Sequence, residues 1–339
     1  TGRILITPRG PDPILYGIRG ENPEVVKLAH EIIRPEETVE RWVIFRTNHG
    51  TDGHLREVRA VGEIQPYNPV IVKGDVSKEP KVIQGGHVIF SIRDGTREVD
   101  CAAYEPTGTL CEISKNLRKL MIKMHIGFDD TDSPRGGCTT YIAALLVEKL
   151  SSIGASFTDY PNLVRLNPNV PWKTRGNGAL CLRIRCRHNL LDRIMETVVD
   201  KVEENAELGY EGTDPGVVFF FNNVPREVKD FAKRTVQGIV EMEEALRLIK
   251  RFRAEAAGFK KGRGIIGGLA AIGETLNGDH TYEIIAYRTP ENRGTPRKIK
   301  ASSVREMNEK TSPLAFNNID PETGRILITP RGPDPILYG

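Results

Sequence analysis

The sequence predicts a multidomain protein of α/β and α+β type that also carries a small, partial β-barrel. Three observations lead there. At 339 residues the chain has room for two or three separate cores. From Met121 onward, short apolar strand-like runs alternate with longer amphipathic, helix-like segments, the pattern of an α/β domain. Residues 56–120 instead read as all-β with one helical stretch at the end.

Composition narrows the class. Hydrophobic residues make up 39% and charged residues 27%, the balance expected of a soluble globular protein. The formal charge of +3 is too mild to declare a nucleic-acid partner, although residues 260–263 and 293–300 are locally basic. The five cysteines (Cys101, Cys111, Cys138, Cys181, Cys186) form no C-x-x-C, and no histidine pair stands at metal-ligand spacing. The expectation is a chain without zinc or a disulfide framework, working in a reducing cytoplasm. No apolar run reaches membrane-spanning length and no signal peptide opens the chain.

Residues 1–17 recur unchanged as residues 323–339. Natural repeats drift, so the simpler reading is a rearranged or engineered chain cut inside one module, with the overlap kept in both pieces. Met121-Ile122-Lys123-Met124 precedes the first strongly patterned strand as a natural N-terminus would. The ancestral order is then expected to start near Met121, run to Gly339 and continue at Ile18.

Residues 1–50 read as part of a small α+β module: strands at 3–7 and 13–17, a helix from Asn22-Pro23 to Ile33, and a strand at 39–47. A strand at 314–320 completes this module from the other end. The turn Arg46-Thr47-Asn48-His49-Gly50-Thr51-Asp52-Gly53-His54 either orients a polar ligand or simply caps and turns the chain. In 51–120, strands are expected at 69–76, 81–83, 87–93 and 98–104, and a helix at 110–120. That set suggests an oligonucleotide-binding barrel, truncated at Leu120, or any small β-domain. In 121–311, helices are expected at 139–150, 190–205, 225–252 and 302–310, strands at 162–166, 179–187 and 216–221, and a hairpin around Asn277-Gly278. Residues 312–339 begin the split module.

Three polar sets fall at strand ends. Ile126-Gly127-Phe128 leads into Asp129, Asp130 and Asp132, followed by Gly137 and by Thr139 and Thr140 at a helix start. Three carboxylates this close repel unless a cation sits among them, and magnesium takes hard oxygen ligands alongside substrate phosphates. They are either metal ligands, one of them a base, or an acidic turn. Lys173, Arg175 and Asn177 lie on a glycine-bearing loop, either stabilising a transferring phosphoryl group or forming a solvated basic turn. Lys261, Gly262, Arg263, Gly264 and Gly267 form a basic glycine-rich run that suits a phosphate cradle or tight backbone packing. Together the sets point to ATP. Asn222-Asn223 ends a buried strand where side chains reach a crevice, whereas 213–216 reads as a turn and Cys138 as a buried small residue.

The motifs G-F-D-D-T-D-S-P-R-G-G-C-T-T, R-L-N-P-N-V-P-W-K-T-R-G-N-G, K-G-R-G-I-I-G-G and T-Y-E-I-I-A-Y-R closely resemble those of the archaeal isoleucine-tRNA 2-agmatinylcytidine synthetases. The resemblance spans essentially the whole chain in permuted order. It implies a kinase-like catalytic domain, a ferredoxin-like module and an oligonucleotide-binding fold. The activity it implies is ATP- and magnesium-dependent joining of agmatine to the wobble cytidine in the anticodon loop of an isoleucine tRNA. Phosphorylating the cytosine carbonyl oxygen would activate the adjacent carbon for attack by the amine. The resemblance also implies autophosphorylation of a threonine, Thr139 by motif alignment, making this a phosphoprotein. The sequence departs from the family in two ways: it has no cysteine pattern for a zinc ribbon, and the oligonucleotide-binding segment is shortened. Asp214 and Asp52 are candidates for the agmatine guanidinium. Two further readings remain, a small-molecule ATP-dependent kinase and a non-catalytic RNA-binding module.

Overall fold

The computed structural model describes residues 18–34, 39–47, 75–76, 81–83, 87–94, 97–104, 121–276, 280–288, 299–316, 318–326, 330–331 and 337–338. The expectations for residues 1–17, 48–54, 110–120 and 277–278 lie outside them.

The described chain opens with β1 (Ile18–Gly20), α1 (Pro23–Ile32) and β2 (Val39–Thr47). Asn22 caps α1 as expected, its side-chain oxygen accepting from Val25 N at 3.0 Å. Next come β3 (Asp75–Val76), β4 (Lys81–Ile83), β5 (His87–Asp94) and β6 (Arg97–Tyr104). They form an antiparallel sheet in which β5 pairs with β6 on one edge and with β3 and β4 on the other.

The large α/β region begins with β7 (Met121–Asp129), α2 (Thr139–Ile153), β8 (Ser156–Phe157), β9 (Asn162–Arg165) and β10 (Gly178–Arg187). It continues through α3 (Leu191–Asn205), β11 (Gly216–Phe221), α4 (Arg226–Gln237), α5 (Met242–Arg251) and β12 (Glu255–Gly258). Then follow α6 (Gly264–Gly273), β13 (Thr281–Arg288), α7 (Ala301–Thr311), β14 (Ala315–Phe316), β15 (Pro330–Arg331) and β16 (Leu337–Tyr338).

These strands build one mixed sheet in the order β12-β11-β7-β10-β9-β2-β13-β1-β14. Along it only the β9–β2 pair is parallel. The carboxylate strand β7 therefore has antiparallel neighbours on both sides, Leu180 facing Phe128 on β10 and Gly216 facing Asp129 on β11. Strands near the carboxylates are apolar on both faces because helices cover both. Met124, Ile126, Phe128, Leu182 and Ile184 pack with Ile142, Leu146 and Leu150 of α2 and Ile194 and Val198 of α3. On the other face Ala179, Cys181, Val218 and Phe220 pack with Phe231 of α4, Ile249 of α5 and Leu269 of α6. Each fully buried side chain of this size stabilises the fold by roughly 1.5–3 kcal/mol. A third core joins distant parts of the chain: Ile18, Val26 and Ala29 pack with Ile284, Val304, Met307 and Ala315.

Two elements differ from expectation. The helix expected over 225–252 is two helices, α4 and α5. Gly238 leaves the first in an extended conformation, its N–H still bonded to Arg234 O at 2.8 Å, and the second starts after Glu241, whose side chain makes no cap bond. Arg234–Glu244 and Arg251–Glu227 ion pairs link the two helices across the break. The glycine run read as a loop is helical from Gly264, so only 259–263 form the approach to it.

Candidate active site

β7 ends at Asp129, and the chain turns sharply at Asp130, whose backbone is left-handed at φ 59°. Aspartate is among the few residues that tolerate that region. The helix that meets Asp129 is α6, more than a hundred residues downstream, and not the one directly following it. A Cβ built on Gly267 would lie 2.0 Å from Asp129 Oδ2, and one on Gly264 would lie 2.3 Å from Asp129 O. Deeper in, a Cβ on Gly127 would lie 2.0 Å from Gly268 O, and one on Gly216 2.1 Å from Ile265 N. These glycines let a helix lie directly on the strand: at Gly127, Gly216 and Gly264 a larger residue would displace main chain, and at Gly267 it would displace the Asp129 carboxylate.

The three carboxylates have different partners. Asp130 Oδ2 accepts from Arg263 Nη2 at 3.3 Å and from Asp214 N at 3.3 Å. Arg263 also reaches Asp214 Oδ2 at 3.4 Å and Gly212 O at 3.1 Å, and its guanidinium lies 5.8 Å over the ring of half-exposed Trp172. Asp132 belongs to the other basic loop. Its Oδ2 accepts from Arg175 Nε at 2.7 Å, its Oδ1 accepts from the Thr174 hydroxyl, and Arg175 Nη2 also donates to Gly137 O at 2.5 Å. Among the described residues no group of three or more His, Cys, Asp or Glu side chains converges as a metal site. Asp129 and Asp130 remain adjacent, while Asp132 is engaged by Thr174 and Arg175.

Electrostatics follow from this geometry. Burial, and then the charges of Asp130 and Asp132, push the Asp129 carboxyl up to about 8, against the pull of the Asp130 N–H and Arg263. Burial raises Asp130 to about 6, with Arg263 and the Asp214 N–H opposing it. A partly buried carboxylate pair held above its ordinary range is short of positive charge. A divalent cation would supply it, and one or two carboxylates with phosphate oxygens and water are what magnesium takes.

The basic and hydroxylic residues divide likewise. Thr139 opens α2 and is buried, its hydroxyl accepting from Thr131 Oγ1 at 3.0 Å. Cys138 is buried beside Thr140, Sγ to Oγ1 2.9 Å. Lys173 is exposed, with no side-chain partner among the described residues, so its ammonium is free for a ligand. Asn177 is left-handed at φ 47° and donates from Nδ2 to Asn167 O at 2.6 Å, a turn-forming role. Gly137 and Gly262 sit at φ 75° and 62°. The backbone amides expected to cradle phosphate are engaged locally. Lys261 N bonds Asp214 Oδ1 at 3.4 Å, Gly264 N bonds Asp214 O at 2.9 Å, and Ile265 N bonds Gly262 O at 3.0 Å. The glycines here serve close packing, and positive charge comes from the Lys261 and Arg263 side chains. Asp214, a candidate for agmatine, is buried and holds this loop; Asp52 lies outside the described residues.

Thr174, on the basic loop but with no role assigned from sequence, bonds Asp132, and a buried network that the sequence does not announce lies behind α6. Arg183 donates from Nε to Asn162 Oδ1 at 2.9 Å, from Nη1 to His125 Nδ1 at 2.8 Å, and from Nη2 to Ile272 O at 3.2 Å and Glu274 O at 2.8 Å. His125 Nε2 donates to Asn222 O at 2.8 Å. Burial, then the Arg183 charge, lowers His125 to about 3. A lone buried His and Arg on adjacent strands carry no spacing signal, so only the fold reveals them.

The same stretches of chain match known proteins. The model of the TiaS TCKD domain matches residues 125–190, and that of the TiaS FLD domain matches residues 1–54 and 262–339, at opposite ends of the chain. The isoleucine-tRNA 2-agmatinylcytidine synthetase TiaS of Pyrococcus horikoshii is 47% identical over 216 residues, covering 64% of this chain and 50% of its own length. The Thermococcus sibiricus protein of the same name is 44% identical, covering 65% and 51%. The chain thus spans about half the length of the relatives it matches. A solved complex of TiaS with its isoleucine tRNA and ATP superposes with a TM-score of 0.59 at 35% identity, covering 64% of this chain and 51% of that one. A complex of TiaS with the same tRNA, AMPCPP and agmatine gives 0.57 at 33%, covering 64% and 52%. With the carboxylate strand, both basic loops and the sheet strands of both chain ends inside the matched stretches, the chain belongs to the TiaS family.

Proposed function

We propose that this chain carries the ATP-dependent conjugation of agmatine to the wobble cytidine of an isoleucine tRNA. The observation that supports it most is the packing of α6 on Asp129, with Arg263 paired to Asp130 and Lys261 and Lys173 at the rim. That arrangement suits a triphosphate and its metal ion. Asp129 and Asp130 would hold magnesium, with Asp132 oriented by Arg175 and Thr174 at its edge. Bound there, the ion would neutralise phosphate charge during transfer. Arg175, Arg263, Lys173 and Lys261 would bind and orient the phosphates. Thr139 is the acceptor proposed for autophosphorylation. In the conjugation, the cytosine carbonyl oxygen takes a phosphoryl group and the agmatine amine attacks the carbon that bears it. Phosphate leaves with that oxygen, and the amine gives up a proton. A base in a loop is splayed out at modest cost, which suits this chemistry.

The two matched pieces of the FLD domain are proposed to form one ferredoxin-like module, residues 312–339 joined to 1–50. Pairing of β1 with both β13 and β14, and of β2 with β13, supports that reading. Residues 51–120 are proposed as a partial oligonucleotide-binding fold and 121–311 as the kinase-like catalytic domain. No helix among the described residues is long and apolar enough to cross a membrane. A cytoplasmic setting fits a tRNA substrate.

The test is incorporation of labelled agmatine into an isoleucine tRNA transcript, with and without ATP and magnesium. Incorporation is expected only with both, and Asp129→Ala and Asp130→Ala should abolish it. Undiminished incorporation by either variant would overturn the metal assignment. RNA-independent phosphate transfer to a small molecule would overturn the proposed reaction.

A further inference from the structure

Helix α6 is poorly suited to stand alone. Four of its ten residues are glycine (Gly264, Gly267, Gly268, Gly273), and neither end has a side-chain cap from its own cap residue. Glycine is among the weakest helix formers, well below alanine. Yet its placement matters at the ångström level, because Gly267 lies against the Asp129 carboxylate. Some other group must hold it. The C-terminal end of α6 meets the buried guanidinium of Arg183, which donates to Ala271 O at 3.5 Å, Ile272 O at 3.2 Å and Glu274 O at 2.8 Å. A cation there complements the negative end of the helix dipole and satisfies carbonyls that the helix leaves unpaired.

The same guanidinium continues outward. Its Nε bonds Asn162 Oδ1, and Asn162 Nδ2 donates to Asp159 Oδ2 at 3.2 Å and to Tyr160 O at 2.8 Å. Asp159 in turn accepts both contacts of Arg46 Nη1, at 3.2 and 3.0 Å. Arg46 lies one residue from the end of β2, at the start of the Asn/His/Thr/Asp turn noted in the sequence. An unbroken polar chain therefore runs from the end of β2 to the back of the helix whose front sets Asp129.

We propose that Arg183 is a positioning residue for the nucleotide site. It holds α6 against Asp129 and links that helix through Asn162 and Asp159 to Arg46. The inference rests on the ATP reading above, and its test is separable from it. In the full chain, calorimetric titration with magnesium and a non-hydrolysable ATP analogue is run for wild type, Arg183→Lys, Asn162→Ala, Asp159→Asn and His125→Gln. Lysine keeps the charge but not the fork. Arg183→Lys is expected to weaken the Kd about tenfold at unchanged stoichiometry, the size of one lost charge-assisted hydrogen bond. Asn162→Ala and Asp159→Asn are expected to weaken it about threefold, as more distant links in the same chain. His125→Gln, which leaves the carbonyl contacts intact, should not change it. Fewer sites at wild-type Kd in Arg183→Lys, or equal weakening by His125→Gln, would overturn the assignment.

Hydrogen exchange of the α6 amides is measured in parallel without nucleotide. It is expected to be faster in Arg183→Lys than in His125→Gln, and equal rates would also overturn the proposal. It also covers the case where Arg183→Lys fails to fold, since Asn162→Ala should then speed exchange in α6 selectively. If wild type binds no nucleotide, the proposed function fails, and exchange alone decides the role of Arg183.

Discussion

Acid should unfold this protein through His125, and the size of the effect can be worked out. The imidazole is almost fully buried, with Nδ1 accepting from Arg183 and Nε2 donating to Asn222 O. Both ring nitrogens are committed to the neutral tautomer, and a second proton would face the guanidinium. The folded-state pKa is therefore depressed from 6.5 to about 3, burial being the larger cause and Arg183 the next. A depressed pKa means that the unfolded chain binds the proton first as pH falls. The stabilisation is whole above 6.5 and is lost progressively down to about 3. Linkage puts the loss at about 1–2 kcal/mol at pH 5.5 and about 3 kcal/mol at pH 4.5, relative to pH 8. His125→Gln keeps a donor and an acceptor but does not titrate. It should cost about 1 kcal/mol at pH 8 and then narrow the gap, becoming the more stable chain below about pH 6. Urea unfolding of both chains at pH 8, 5.5 and 4.5 reads this directly. The aspartates contribute equally to both curves, so they cancel in the difference. Parallel losses in the two chains would refute the account of His125.

Further expectations concern the site itself. Asp129 has the opposite sign: its pKa is raised to about 8, so its unfavourable ionisation grows as pH rises from about 4 through 8. Asp129→Asn should therefore unfold at higher urea than wild type at pH 8 without magnesium, while losing agmatine incorporation. Gly267→Ala should displace the carboxylate, since its Cβ would lie 2.0 Å from Asp129 Oδ2. The chain should stay folded, with nucleotide affinity falling at least about tenfold by titration. Gly127→Ala meets backbone instead, Gly268 O at 2.0 Å, and should cost about 3 kcal/mol in urea unfolding. Arg175→Ala frees Asp132 and the Gly137 carbonyl from their shared partner, and should cost about 2 kcal/mol by the same measurement.

What could be read in the sequence was mostly local. The apolar run ending in Asp129, the Asn22-Pro23 helix start and the strand at 216–221 announce themselves through neighbours in sequence. The break at Gly238 was hidden because the apolar periodicity resumes at once in α5. The glycines of 264–273 left a phosphate cradle and tight packing both open in the sequence, for a physical reason. Their missing side chains answer to β7 and β11, about fifty to a hundred and forty residues away in sequence, and no local pattern records that. The same is true of which helix faces Asp129. A strand end followed by a helix suggests the next helix, but antiparallel neighbours on both sides of β7 let α6 take that place. Arg183 and His125 read as ordinary alternating strand residues, and only the register that sets β10 beside β7 shows them in contact.

The third core has a kinetic consequence. Ile18 pairs with Ile284 and Phe45 with Glu283, so β13 lies between two strands from the opposite end of the chain. The β7–β10–β11 region can gather from residues 121–276 alone, with far shorter closures. Closing a loop of some 240–270 residues costs only a little more entropy than closing a short one, but it is slow to find. β1, α1 and β2 should therefore dock last, onto a sheet whose β13 edge is already formed. Until then that edge is an open template for a second molecule's strand, so dilute refolding should give monomer, and concentrated refolding should give exchanged dimers.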